Sequence, residues 1–210
     1  MVGRIIETEA CVAEGAAWLA QQEPVFERAL ALTGPLALRR RDDGAQALLS
    51  AIVSQQVSVA SANAIWGRLE GAGLVTPEAI LAAPDDDLRA CGLSRQKIRY
   101  ARALAASGID FDALRNLSDA AVVDTLVAVP GIGRWTAEIY AMFSLGRADV
   151  FAPGDLALQE GVRMLFDMQS RPNERALRSY CERWQPWRGV AARLIWAYYG
   201  LQKTREGVRS

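Results

Sequence analysis

Residues 126–138 read Leu126-Val127-Ala128-Val129-Pro130-Gly131-Ile132-Gly133-Arg134-Trp135-Thr136-Ala137-Glu138. An apolar run at helical spacing (Val122, Val123, Leu126, Val127) stops at Pro130, and a second helix begins at once. Gly131 and Gly133 permit a tight turn and the close approach of another backbone. Ile132, between them, is placed to anchor the turn in a core. The first N–H groups of the new helix have no partner within it and point outward beside Arg134, which makes a phosphate site. Taken alone, the same letters also describe a plain helix–turn–helix corner.

Outward from this turn the chain keeps helical periodicity. Ala47, Leu48, Ala51 and Ile52, then Val59, Ala62, Ile65, Trp66 and Leu69, follow the 3.6-residue repeat, with Gly71-Ala72-Gly73 as a stop. Pro84-Asp85-Asp86-Asp87 opens a helix with acids in its first turn, where the helix dipole favours them. Ser94 caps a segment through Ile98, Ala101, Leu104 and Ala105, Ser118 caps another, and Asp155 begins Leu156, Leu158, Val162, Leu165 and Phe166. The last long helices are expected at about 172–183 and 187–200. Alternating strand-type runs are almost absent, so the expected class is all-α, with ten to twelve short helices. No internal repeat, low-complexity segment or clear linker divides the chain.

Composition narrows the chemistry. The 210 residues (22.9 kDa) carry 24 basic and 24 acidic groups and no histidine. That excludes a Ser-His-Asp triad, a Cys-His nucleophile and any imidazole-ligated metal. Cys11, Cys91 and Cys181 are widely spaced with no C-x-x-C, which fits reduced thiols rather than a metal or iron–sulfur cluster. No apolar stretch approaches a membrane span, and Met1–Ala10, with Arg4, Glu7 and Glu9, has no signal core. A soluble cytoplasmic chain is the expectation. Zero net charge conceals an uneven distribution: residues 130–210 hold 12 basic and 8 acidic groups, and 22 of the 24 basic residues are arginine, which suits phosphate recognition.

With its flanking residues, the turn resembles that of the helix-hairpin-helix (HhH-GPD) superfamily of DNA glycosylases. Downstream, Asp149-Val150-Phe151-Ala152-Pro153-Gly154-Asp155-Leu156 is similar to the superfamily's Gly/Pro…Asp loop. Three more blocks resemble the bacterial 3-methyladenine DNA glycosylase II branch: Ala51-Ile52-Val53-Ser54-Gln55-Gln56-Val57-Ser58, Gly92-Leu93-Ser94 with Lys97, and Trp184-Gln185-Pro186-Trp187-Arg188. Together with the hairpin these three blocks make four ordered motifs that span roughly 45–200; residues 1–44 are uninformative. The resemblance implies a single module over 1–210 with a DNA-base cleft between two helical lobes. One lobe covers about 45–145 and contains the hairpin 128–136; the other joins 1–44 to 146–210.

The resemblance also implies roles. Asp155 matches the catalytic aspartate: cleaving an N-glycosidic bond builds positive charge on the deoxyribose, which a fixed carboxylate stabilises while orienting a water. A helix cap is the plain alternative for the same residue, and both can hold. Asp149, off the motif position, is expected to be structural. Trp135 stands where lyase members carry a Schiff-base lysine, and an indole forms no imine, so a monofunctional enzyme is expected. The missing four-cysteine cluster also argues against the endonuclease III branch. Trp135, Trp196, Ile139 and Tyr198 are expected around a flipped base, because indole faces attract the cation that ring alkylation creates. Ile139 departs from the aromatic residue that relatives often carry there.

Gln55, Gln56, Ser94, Lys97, Gly131, Gly133, Arg134 and Trp135 are expected at the DNA, with Gln56 as a wedge in the gap left by the flipped nucleotide. No cofactor and no metal ligand cluster is expected, although hairpin carbonyls 128–133 can hold a structural cation in the superfamily. The expected partner is double-stranded DNA with alkylated bases, with no membrane and no obligate protein partner. Two readings compete: a glycosylase for deaminated or oxidised bases, and a noncatalytic hairpin module that only clamps DNA.

Overall fold

Most of the helices start where a short polar side chain replaces a missing backbone partner. In the computed structural model, which describes residues 2–207, α1 (Glu9–Gln22) is capped by the Thr8 hydroxyl and α2 (Pro24–Thr33) opens on a proline at its first turn. After α3 (Ala45–Ser54), Ser58 caps α4 (Val59–Gly71) and Thr76 caps α5 (Pro77–Ala82). Next come α6 (Asp85–Ala90), α7 (Arg95–Ala105) capped by Ser94, α8 (Phe111–Leu114) capped by Asp110, and α9 (Asp119–Val127) capped by Ser118. Following α10 (Arg134–Phe143), Asp155 caps α11 (Leu156–Leu165) and Asn173 caps α12 (Glu174–Tyr180). A 3-10 turn (Cys181–Trp184) leads into α13 (Arg188–Gly207).

The all-α class expected from periodicity is the one observed: among the described residues there is no strand, only an isolated bridge between Ile5 and Arg147. The described residues form thirteen α-helices, more than the ten to twelve expected. The helices that the periodicity had not placed are α1 and α2, within the uninformative first forty residues, and the short α5 and α8. The stretch expected as one helix over 172–183 is α12 plus the 3-10 turn, and α13 runs past residue 200 to Gly207.

The described residues divide into two compact units, one of residues 41–140 and one of 2–40 with 141–207, the second boundary falling inside α10. In the first unit, α3 packs on α4 and α7 through Leu48, Leu49, Ile52, Val53, Ile65, Leu69, Ile98 and Leu104, all buried. Arg102 of α7 answers the unpaired carbonyls at the end of α5, donating to Ile80 O (3.2 Å), Leu81 O (3.1 Å) and Ala83 O (2.7 Å). The Tyr140 hydroxyl accepts the Gly44 N–H that opens α3 (2.8 Å), and burial pushes its pKa up to about 12.

In the second unit the core is aromatic. Trp184, fully buried, meets Phe26, Phe151, Phe166 and Tyr180 at centroid distances of 5.4–5.7 Å, and its indole N–H reaches Glu23 Oε1 (3.2 Å). Helices α11 and α13 approach closely because position 161 is glycine: a Cβ there would lie 2.6 Å from Ile195 Cγ2. The three cysteines are free thiols, and burial raises the Cys181 thiol to about 11, leaving it inert. Trp184→Ala empties the centre of this cluster and is expected to cost about 3–5 kcal/mol, measured as a lower guanidinium midpoint with an unchanged slope.

Candidate active site

In the first unit the hairpin forms as its letters suggest. Ile132 N–H closes the turn on Val129 O (3.0 Å), and the Ile132 side chain is buried. The two glycines are not equivalent. Gly131 has φ +94°, and a Cβ there would run into the Tyr100 ring; Gly133 has no such restriction, and a Cβ there would meet open space. The turn is therefore built by Gly131, while Gly133 leaves the exposed side clear for an approaching group. Arg134, exposed, makes a long pair with Asp124 (3.5 Å), worth little in water. Trp135 follows in the first turn of α10 with 48% of its surface exposed, and Ile139, one turn on, is half-buried.

A second polar group sits where α3 ends. Gln55 donates its side-chain N–H to Gly131 O (2.9 Å), tying that helix end to the hairpin. Gln56, exposed, has φ +57°, a left-handed backbone that costs a non-glycine residue about 1–2 kcal/mol. Ser94 caps α7 by accepting Lys97 N–H (3.3 Å). The Lys97 ammonium turns inward and donates to Val53 O in the last turn of α3 (2.6 Å), where the helix dipole favours a cation; burial lowers its pKa. Gln55, Gln56, Ser94, Lys97 and Tyr100 thus line one polar hollow of about 240 Å³.

Asp155 belongs to the second unit. Its Oδ1 accepts Leu158 N–H (2.9 Å) as the cap of α11 and the Trp196 indole N–H (3.1 Å) from α13. The loop that delivers it is firm: Phe151, Ala152 and Pro153 are buried, Asp155 N–H bonds Ala152 O (3.0 Å), and the buried Gln159 carboxamide holds Pro153 O (2.8 Å). Behind Trp196 lies Phe143, 5.8 Å between centroids. Tyr198 is half-buried but about 200° around α13 from Trp196, at roughly 100° per residue, so the two do not share a face. Asp149 is engaged by Arg188 in a two-pronged pair (2.8 and 3.0 Å), a structural role. Trp187, buried, packs where the C-terminal helix begins, and Trp18 and Trp66 are only half-buried.

Sequence reasoning missed three contacts: the Trp196 bond to Asp155, the Gln55 bond to the hairpin carbonyl and the inward turn of Lys97. Each joins residues more than forty positions apart, so no local pattern encodes it. Among the described residues no group of three or more His, Cys, Asp or Glu side chains is arranged to hold a metal ion, and no helix is long and apolar enough to cross a membrane.

Residues 49–186 match the HhH-GPD superfamily base excision DNA repair proteins, and the chain belongs to that family, as the hairpin and its flanking blocks suggested. It is 32% identical over 171 residues to DNA-3-methyladenine glycosylase 1 of Schizosaccharomyces pombe, covering 77% of this chain and 75% of that protein. The crystal structure of a DNA-3-methyladenine glycosidase from Bacillus halodurans is similar with a TM-score of 0.82 at 32% identity, over 97% of this chain and 95% of the other. The S. pombe 3-methyladenine DNA glycosylase in complex with abasic DNA is similar with a TM-score of 0.75 at 29% identity, over 87% and 95% of the two chains.

The buried Lys97 gives a pH signature. Its folded pKa lies below the unfolded value near 10.5, so between those two values the unfolded chain binds more protons and stability rises with pH. The stability difference between wild type and Lys97→Met is expected to shift in favour of wild type as the pH climbs toward 10.5, measured by urea titrations along a pH series.

Proposed function

We propose that this chain is a monofunctional DNA glycosylase that hydrolyses the N-glycosidic bond of N-alkylated purines, 3-methyladenine above all, in duplex DNA. The observation that carries the reading is the Asp155 carboxylate, held by the Leu158 N–H and the Trp196 indole at a helix N-terminus. As the bond between the base and C1′ breaks, its electron pair leaves with the base and the sugar becomes cationic. An oriented carboxylate stabilises that cation and takes up the proton of the water that adds. Alkylation has already made the base electron-poor, so binding and departure require little further protonation.

In this reading the exposed Trp135 offers its indole face to the cationic base, with Ile139 one helical turn behind it, and Trp196 serves in the second unit beside Asp155, whereas Tyr198, on another face of α13, does not join that wall. The hairpin N–H groups beside Gly131, Gly133 and Arg134 grip phosphate, and Gln56 enters the gap in the stack. The left-handed backbone of Gln56 supports that assignment, since strain of this kind persists where the surroundings hold a side chain in a particular direction. Gln55, Ser94 and Lys97 then act beside the DNA by shaping the hollow and fixing the hairpin. The enzyme works inside the cell without an obligate protein partner.

Two residues support hydrolysis without strand cleavage. Trp135 fills the position of an imine-forming lysine, and Lys97 is committed to Val53 O. Asparagine caps helices as well as aspartate does, so Asp155→Asn leaves α11 intact while removing the charge. Release of methylated purines from duplex DNA is expected to fall about 100- to 1,000-fold in that variant, with binding to abasic-site DNA retained; equal release by variant and wild type removes Asp155 from the chemistry. Borohydride reduction of wild type on abasic DNA is expected to yield no covalent adduct, and a trapped complex would overturn the monofunctional assignment.

A further inference from the structure

Trp196 has two constraints that a wall of a base pocket does not require. Its ring stands 5.8 Å from that of Phe143 at an interplanar angle of 33°. The Arg193 guanidinium lies 4.7 Å from the centroid of that same Phe143 ring. Arg193 is itself buried and donates to Gly189 O (2.7 Å), so the Arg193–Phe143–Trp196 series is anchored at its far end. At the near end, the indole N–H meets Asp155 Oδ1 at 3.1 Å, the oxygen that also accepts the cap bond at 2.9 Å.

We propose that Trp196 is a positioning residue whose indole N–H fixes the orientation of the Asp155 carboxylate for base removal, an action separate from any contact between its ring and the base. The proposal rests on the reading of Asp155 given above. A carboxylate held by one helix-capping donor retains a broad, nearly two-fold torsion about its terminal bond. A second donor, arriving from another helix, sets the plane of the group and hence the direction of both oxygens. Electrostatic stabilisation of a developing cation depends on such prior orientation, because a carboxylate that must swing into place loses part of its advantage. Gly161 matters here too: its missing side chain lets α13 lie close enough to α11 for the bond to form.

The test removes the donor and keeps the ring. Trp196→Phe keeps an aromatic ring against Phe143; replacing Trp196 by benzothienylalanine keeps the full bicycle and exchanges only the N–H for sulfur. Single-turnover release of 3-methyladenine from methylated duplex and affinity for abasic-site DNA are measured for both, and for Trp196→Phe in the Asp155→Asn background. The expected result is a roughly 10- to 100-fold slower release in both donor-free proteins, as for a lost bond to a charged group, with affinity unchanged. The loss is expected not to recur in the Asp155→Asn background, since Trp196 acts through that carboxylate.

Wild-type release by the benzothienylalanine protein overturns the proposal, and this protein carries the test if Trp196→Phe does not fold. So does weaker DNA affinity at an unchanged rate, which marks a wall residue, or losses that multiply in the double variant. An inactive wild type overturns the proposed function and this inference with it. An active wild type with an inactive Asp155→Asn variant and a normal donor-free variant sinks this inference alone.

Discussion

Two N–H groups converge on one oxygen of Asp155, and the conditions for that convergence run through the second unit. One donor, Leu158 N–H, exists because α11 begins at Leu156 and leaves its first amides unpaired. The other, the Trp196 indole, arrives from α13 across a helix contact that tolerates no side chain at position 161. The approach of the chain is set by buried residues 151–153 and by Gln159, whose carboxamide takes up Pro153 O. The positive end of the helix dipole lies at the same point, so the site favours an anion before any substrate arrives. In the proposed reaction capping and chemistry share one arrangement: the bond that starts the helix also orients the carboxylate.

The first unit solves a related problem with cations. Lys97 places its ammonium at the carbonyl end of α3, and Arg102 covers the carbonyl end of α5. In the second unit Arg193 reaches Met142 O in the last turn of α10 (3.5 Å) as well as Gly189 O within α13 (2.7 Å), and burial draws its pKa down to about 10, helped by the nearby charges of Arg39 and Arg40. A buried charge costs free energy unless paired or hydrogen-bonded, and carbonyls at a helix end supply bonds without a counter-ion. Several of the basic residues are thus spent on architecture. A tally of charge along the sequence cannot separate these from the residues that face phosphate, so zero net charge carries little information about the partner.

How much of this was legible in the amino acids depends on the range of the interaction. The hairpin was readable because its determinants are adjacent: Pro130 stops one helix, Gly131 takes positive φ, and the next helix starts three residues later. Ser94, Ser118 and Asp155 were readable as caps for the same reason. Helix α1 was not, since its alanines and Gly15 give little apolar contrast around the helix, although Val12 and Leu19 are buried. The start of α13 was legible although its run Val190, Ala191, Ala192, Leu194 and Ile195 is buried on every side, but its continuation past residue 200 was not. Ser94 and Lys97 read as residues at the DNA; the inward turn of the lysine was not legible, because the carbonyl that it reaches belongs to another helix.

The two glycines of the hairpin show why a motif letter and a structural requirement differ. Gly131 is demanded by its own backbone and by the Tyr100 ring against it; a substitution there meets strain before any ligand is present. Gly133 meets neither demand, since its φ is ordinary and the space beside it is empty. What a side chain at Gly133 would occupy is the room in front of the first amides of α10, where an incoming phosphate must approach to reach them. The fold accounts for the first glycine. The second is not required by the fold, and its empty side fits the binding role proposed for the hairpin.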